Sequence, residues 1–182
     1  MAHDQPTAPS TIGSEKWDIC TPSATSENTT KNALTCEIPR FSIPWPGRTF
    51  IIRSQTTAQV ITFLDGEVIL DKPGGLGTYR WKCVETEGWM GFKDPASAQY
   101  LGFQEHGLLF CRVPHHRRNE YMCTRMRPEG GCVLLVSYGD SLCPVGVFAE
   151  ETGNRVKPKI KVMDWDSEGI VWDFIEVQSH EE

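Results

Sequence analysis

A short pattern recurs three times along this chain and limits the possible folds more than any other feature. In each copy an apolar run reaches a phenylalanine, and polar residues, a glycine turn and a second apolar run follow. The phenylalanines are Phe63, Phe103 and Phe148. An aromatic-x-(Cys or Phe) triplet then follows each one, as Trp81-Lys82-Cys83, Tyr121-Met122-Cys123 and Trp172-Asp173-Phe174. The chain therefore contains three related units of about 40 residues.

The apolar residues within each unit alternate at period two, which indicates β-strands and excludes helical repeats. Three copies are too few for a propeller, whereas three four-stranded units can close into a barrel with a hairpin cap and no free edge. We therefore predict an all-β fold, a β-trefoil of twelve strands with units near 47–87, 88–130 and 131–178. The repeated aromatics share a face with small or apolar residues and are predicted to be buried. They are Phe63, Phe103, Phe148, Trp81, Tyr121 and Trp172.

Residues 1–40 differ in composition from the rest, being rich in Ser, Thr, Pro, Asn and Ala. Such a segment cannot bury enough apolar surface to offset the entropy of ordering. We predict a mostly disordered extension over 1–40 and a β-trefoil domain over 41–182, with the patch Trp17–Cys20 as a candidate for docking on the domain.

Charge and hydropathy restrict the partners. The formal net charge is −6, so we expect the protein to bind neither nucleic acid nor an anionic membrane. No apolar run reaches transmembrane length, and the first residues lack a basic region followed by an apolar stretch. We therefore expect a cytoplasmic location. The seven cysteines are an odd number without a C-x-x-C pair, which predicts free thiols, with Cys83 and Cys123 at equivalent repeat positions.

One loop is basic, although the chain as a whole is acidic. Residues 112–127 contain five arginines and one acid, and they include His115, His116, Arg117 and Arg118. Guanidinium groups beside imidazoles can bind carboxylate, phosphate or sulfate groups. We predict a ligand site there, completed by Tyr138 and Asp140 of the next unit's first hairpin. The alternative is a solvated loop that pairs with acidic neighbours.

Metal binding and catalysis find less support in the same loop. Cys111, His106 and the two histidines are possible zinc ligands, but their spacing matches no closed site and the arginines would repel a cation. The sequence has no nucleophile elbow and no P-loop. We therefore expect no cofactor, no metal and no catalytic residue.

Several segments resemble a group of fungal β-trefoil proteins described as ricin-B-lectin-like or fascin-like. They span roughly 45–178 and are Gly47–Arg53, Trp89–Pro95, Tyr100–Gly102, Pro128–Gly131 and Ile170–Ile175. The resemblance implies a β-trefoil of fungal source and carbohydrate binding. The chain differs from ricin-type lectins in lacking their Gln-x-Trp signature near the last strand of each unit.

Three functions follow as hypotheses. The first is a non-catalytic recognition module that binds a glycan or a small anionic ligand through trefoil loops, because recognition sites favour loops on a rigid scaffold. The second is a fascin-like module that binds a protein partner such as actin. The third is an enzyme or accessory protein of fungal secondary metabolism, with a pocket near His115–Arg118.

Overall fold

The computed structural model describes residues 42–152 and 155–177. The extension predicted over 1–40, the patch Trp17–Cys20, Cys20 and Cys36 lie outside the described residues. Twelve strands are present in the described ranges: β1 Thr49–Ser54, β2 Val60–Leu64, β3 Glu67–Asp71, β4 Trp81–Thr86, β5 Trp89–Lys93, β6 Tyr100–Phe103, β7 Leu109–Val113, β8 Met122–Met126, β9 Cys132–Tyr138, β10 Ser141–Thr152, β11 Arg155–Val162 and β12 Val171–Val177. A single 3₁₀ turn, Arg118–Glu120, accompanies them within those ranges.

Six of the strands form a closed barrel. Around the barrel the antiparallel neighbours are β1–β4, β4–β5, β5–β8, β8–β9, β9–β12 and finally β12–β1. The other six strands form three hairpins, β2–β3, β6–β7 and β10–β11, one from each unit. Single backbone pairings join the third hairpin to the other two, at Lys159 with Ile69 and at Leu108 with Lys161. The prediction of a β-trefoil is confirmed.

The strand registers define which residues are equivalent in the three units. Because side chains alternate between the faces of a strand, paired inward positions form layers around the barrel axis. One layer contains Trp81, Met122 and Trp172, and each is fully buried. A layer in the hairpins contains Ile61, Leu101 and Val145, which are also fully buried.

The burial predicted for the six repeated aromatics is confirmed for Trp81, Phe103 and Trp172. Phe63 is half-buried and packs against the core. The prediction is wrong for Phe148, whose exposed fraction is 46%, and Tyr121 is only half-buried.

A displacement by one residue explains both of these differences, because it turns a side chain to the other face of its strand. The β6–β7 hairpin is one residue longer than the β2–β3 hairpin, since Phe103 pairs with Leu109 whereas Phe63 pairs with Val68. Met122 therefore occupies the core position predicted for Tyr121. In the third unit Val147 pairs with Ile160 and packs on the core, which leaves Phe148 outside.

The five cysteines of the described residues are free thiols. Burial and the charge of Glu85 raise the pKa of Cys83 to about 12. Cys83 and Cys123 are not equivalent, because the register of β8 with β9 places Thr124 at the position of Cys83. These thiols serve as small apolar side chains, since a protonated buried thiol is a poor nucleophile.

Candidate functional site

The connection between the first two strands differs among the units. In the first and second units it is a longer turn in which Ser54 and Asp94 accept hydrogen bonds from backbone amides three residues on. In the third unit β9 and β10 stay paired as far as Tyr138 and Ser141. Only Gly139 and Asp140 remain for the turn, and Gly139 has a φ of 61° that suits a tight hairpin. The third unit therefore projects a hairpin tip that the other two lack.

An open cleft lies beside this tip. Tyr138 and Ser141 come from the hairpin, His106 comes from the β6–β7 turn, and Asp164 and Trp165 follow β11. The indole of Trp165 is 72% exposed and the ring of Tyr138 is 38% exposed. Aromatic faces, a carboxylate and a hydroxyl therefore converge on one concave surface.

Local packing holds these aromatic groups in place. Tyr138 donates a hydrogen bond of 2.9 Å from its Oη to the carbonyl of Glu105, and its ring contacts Phe103 edge-on at 5.4 Å. The backbone amide of Met163 donates to the carbonyl of Pro144 at 2.8 Å, which ties the start of the Trp165 loop to β10. The cleft is therefore supported from the core.

The predicted basic loop contacts the same hairpin tip. Arg118 donates a hydrogen bond of 2.9 Å from Nη2 to the carbonyl of Gly139, which lies between Tyr138 and Asp140. His115, Arg117 and Asp140 are exposed. The structure thus brings the loop and the hairpin together, as the prediction placed them, while a role of these six residues in binding stays a prediction.

The five arginines of residues 112–127 do not form one cluster. Arg112 lies on β7 and lines a different cleft, between the three hairpins. Arg127 lies 4.0 Å from the carboxylate of Glu129. A basic composition over one stretch of sequence is therefore divided among several surfaces.

His116 differs from the other residues of the loop because its ring is half-buried and fully hydrogen-bonded. Its Nε2 lies 3.2 Å from the carbonyl oxygens of both Met90 and Glu120, which can only accept. The proton is therefore on Nε2, and Nδ1 accepts from the Thr86 hydroxyl at 2.8 Å. The ring also stacks on Tyr100 at 5.3 Å. His116 fastens the loop to the barrel as a neutral imidazole, and burial lowers its pKa below 6.5.

Replacing His116 by Gln is expected to change how stability depends on pH. As the pH falls below about 6.5, the unfolded chain takes up a proton at His116 that the folded ring resists, so the parent loses stability. The variant cannot show this loss. Urea unfolding between about pH 5 and 8 should therefore give a parent-minus-variant difference that declines toward acid. The exposed His115→Gln is the matched control, and parallel curves for parent and His116→Gln would contradict the assignment.

Glu120 is a buried residue that stabilises the basic loop. It is only 4% exposed, and its Oε2 accepts the backbone amide of Arg117 at 3.0 Å. Burial raises the pKa of this carboxyl. Gly102 packs against it closely enough that an added methyl group would lie 3.0 Å from Oε1. The basic loop is therefore held on a preformed support.

Sequence reasoning missed Trp165 and Asp164. Asp164-Trp165-Asp166-Ser167 interrupts the alternating apolar pattern, and a tryptophan flanked by two aspartates outside a strand is typical of an exposed loop. That signal was available. His106 also lines the cleft, but the sequence around it does not indicate an exposed site, because only the fold brings the β6–β7 turn next to Tyr138.

The described residues contain no group of three or more His, Cys, Asp or Glu side chains placed to hold a metal ion. Within the same part of the chain, no helix is long and apolar enough to cross a membrane.

No protein-family model and no curated protein sequence matches the chain. Solved structures do match it. A ricin B-like lectin from Macrolepiota procera, in complex with lactose, superposes with a TM-score of 0.54 at 15% identity, over 73% of this chain and 98% of the lectin. A BEL β-trefoil superposes with a TM-score of 0.54 at 14% identity, over 75% and 97%.

A GlcNAcα1-4Gal-releasing endo-β-galactosidase from Clostridium perfringens superposes with a TM-score of 0.56 at 13% identity. The match covers 72% of this chain but only 33% of that enzyme. Identities this low establish a shared backbone arrangement and nothing finer. The chain has the β-trefoil fold, in the form that ricin B-like lectins also have.

Proposed function

We propose that the domain is a non-catalytic recognition module that binds a glycan at the tip of the β9–β10 hairpin. The observation that carries the proposal is the convergence of exposed Trp165 and Tyr138 with Asp164 and Ser141 around one cleft. An aromatic face offers an apolar surface to the C–H side of a pyranose ring, while carboxylates and hydroxyls bond its hydroxyl groups. The lactose-bound lectin of the same fold supports this ligand class.

The basic loop contributes to the same site in this proposal. Arg118 contacts the hairpin tip directly, Arg117 and His115 of the same loop are exposed, and Asp140 follows Gly139. His116 positions the loop instead of touching the ligand, because both of its ring nitrogens are already bonded. An acidic substituent on the glycan would meet the guanidinium groups at this rim.

An enzyme in the same cleft is the alternative to consider, since His106, Cys143 and Asp164 all line it. A thiol nucleophile requires a lowered pKa and a base in hydrogen-bond contact. Here burial and the charge of Asp164 raise the pKa of Cys143, and its Sγ lies 4.0 Å from the carbonyl of Tyr138. These features favour binding over acyl transfer.

The test is a glycan-array screen followed by titration of the best ligand with Trp165→Ala. We expect affinity to fall at least about 30-fold, because a central aromatic anchor contributes about 2 kcal/mol or more. Trp45→Ala is the matched control, since Trp45 is equally exposed, at 70%, and does not line the cleft. Equal losses in the two variants would place the ligand elsewhere.

The basic loop is tested in the same titration with the Arg117→Ala/Arg118→Ala double variant. For an acidic glycan, affinity should fall in the variant, and the parent's affinity should fall as salt rises, because exposed charge pairs are screened over about 8–10 Å. A ligand that requires Trp165 but binds this variant as tightly as the parent would show that the loop is only solvated surface.

A further inference from the structure

The loop that carries Trp165 is fixed at both ends to the same part of β10. It comprises residues 163–170 and connects β11 to β12. At its start the backbone amide of Met163 donates to the carbonyl of Pro144 at 2.8 Å. At its end the amide of Ile170 donates to the carbonyl of the next residue of β10 at 3.2 Å. Two adjacent residues of one strand therefore hold both ends of the loop.

Two glycines make this close approach possible. A Cβ atom added at Gly169 would lie 2.6 Å from Cβ of Pro144, and one added at Gly146 would lie 2.6 Å from Cγ and 3.0 Å from Sδ of Met163. Carbon atoms in contact normally lie about 3.5–4.0 Å apart. Gly169 has a φ of 70°, which favours glycine by itself. Gly146 has no such backbone requirement, so only its packing against Met163 demands the absence of a side chain.

The other two units have an equivalent contact made by different residues. The hairpin registers align Gly146 with Gly102 and Thr62. A Cβ atom added at Gly102 would lie 3.0 Å from Oε1 of Glu120, in the basic loop. In the first unit the glycine is on the loop instead, since a Cβ atom added at Gly77 would lie 3.0 Å from Cγ2 of Thr62. Each unit therefore has a glycine on one side of the contact between this strand and its loop.

We propose that Gly146 is a positioning residue of the glycan site, which fixes Trp165 over the cleft by leaving room for Met163. Trp165 follows Met163 by two residues, and both line the cleft. Because Trp165 is 72% exposed, packing of its own ring holds it only weakly, and its position depends on the anchored start of the loop. The inference rests on the proposed function, since an aromatic group held in place before binding loses less entropy when the glycan binds.

The contact offers little room for adjustment. Cγ of Met163 is only two bonds from the backbone, so moving the tip of the side chain cannot clear a methyl group at position 146. Either the side chain must take another χ1 rotamer or the start of the loop must move away from β10. Both changes alter the part of the chain that leads directly into Trp165.

The first test observes Trp165 without any ligand. In the full chain labelled with 5-fluorotryptophan, the fluorine NMR signal of Trp165 is identified by its loss in Trp165→Phe. Gly146→Ala should shift this signal. Gly102→Ala is the matched control: it also adds a methyl group to a packed contact and should lower stability, but it should leave the Trp165 signal in place.

A double-mutant cycle tests whether the effect passes through Met163. In the Met163→Ala background there is no long side chain to displace, so adding Gly146→Ala should shift the Trp165 signal much less than it does in the parent. Met163→Ala alone removes the contact from the loop side and should itself shift the signal. It therefore tests the inference even if the Gly146→Ala single variant does not fold.

The second test measures binding on an array of galactose-, N-acetylglucosamine- and mannose-terminated oligosaccharides. For the array glycans whose binding requires Trp165, Gly146→Ala should lower the affinity about tenfold, which is part of the roughly 30-fold loss expected for Trp165→Ala. In the Met163→Ala background the same substitution should cost less than about twofold.

The outcomes separate this inference from the proposed function. If Gly146→Ala and Met163→Ala both leave the Trp165 signal in place, or if the signal shifts without a loss of affinity, the positioning role is overturned and the glycan cleft stands. An equal loss of affinity with and without the Met163 side chain would also overturn it. If Trp165→Ala weakens the binding of no glycan on the array, the proposed function fails, and the positioning role fails with it.

Discussion

Replacing Trp81 by Ala is expected to lower the free energy of unfolding by about 3–5 kcal/mol, because the indole is fully buried in the layer that closes the barrel. A domain of this size is stable by about 5–15 kcal/mol, so the variant should be close to unfolding. Urea denaturation followed by far-ultraviolet circular dichroism measures the loss. A loss below about 1 kcal/mol would be incompatible with the described burial.

The equivalent tryptophan of the third unit gives a matched comparison. Trp81 donates a hydrogen bond of 2.9 Å from Nε1 to the carbonyl of Ile61. Trp172 is equally buried, but its Nε1 has no hydrogen-bond partner among the described residues. Changing each to Phe removes a satisfied donor in one case and an unsatisfied donor in the other. Trp81→Phe should therefore be about 1 kcal/mol more destabilising than Trp172→Phe. Equal losses would show that the two indoles have the same hydrogen-bond environment.

The second large effect is a contrast between two phenylalanines that look equivalent in the sequence. Phe103→Ala should cost about 3–5 kcal/mol, because the ring is 5% exposed and packs in the hairpin core. Phe148→Ala should cost less than about 1 kcal/mol, since nearly half of the side chain is exposed and its ring lies outside the core, beside Lys161. The same denaturation series measures both. Similar losses of unfolding free energy in the two variants would indicate that Phe148 is buried in the core.

The spacing of the repeats was sufficient to predict the fold, because a period of about 40 residues with alternating apolar positions has few closed solutions. The register within each unit was not predictable in the same way. Phe148 was aligned with Phe63 and Phe103 by residue type, whereas strand pairing aligns Val147 with them. In the second unit, one extra residue in the β6–β7 turn moves the following strand by one position, so that Met122 points inward in place of Tyr121.

The candidate site was predictable in part for a similar reason. The contact between Arg118 and the Tyr138–Asp140 turn follows from the order of the units, because the loop before the last strand of one unit lies near the first hairpin of the next. The cleft beside the hairpin tip combines His106, Tyr138 and Trp165, which come from different hairpins and loops. Surfaces assembled from distant segments leave no local pattern in a sequence.

The pairing of β1 with β12 has a consequence for how the chain is made. Thr49–Ser54 pairs residue by residue with Val177–Trp172. The edge of β1 that pairs with β12 therefore stays unpaired until β12 has been synthesised. During synthesis at about 5–20 residues per second, β1 is available for several seconds before β12 leaves the ribosome. Closure of the barrel is therefore a late, non-local event, and topologies of this kind fold slowly. Because the ends of the barrel lie side by side, joining them and opening the chain at an exposed turn should yield a circular permutant in which different strands close the barrel.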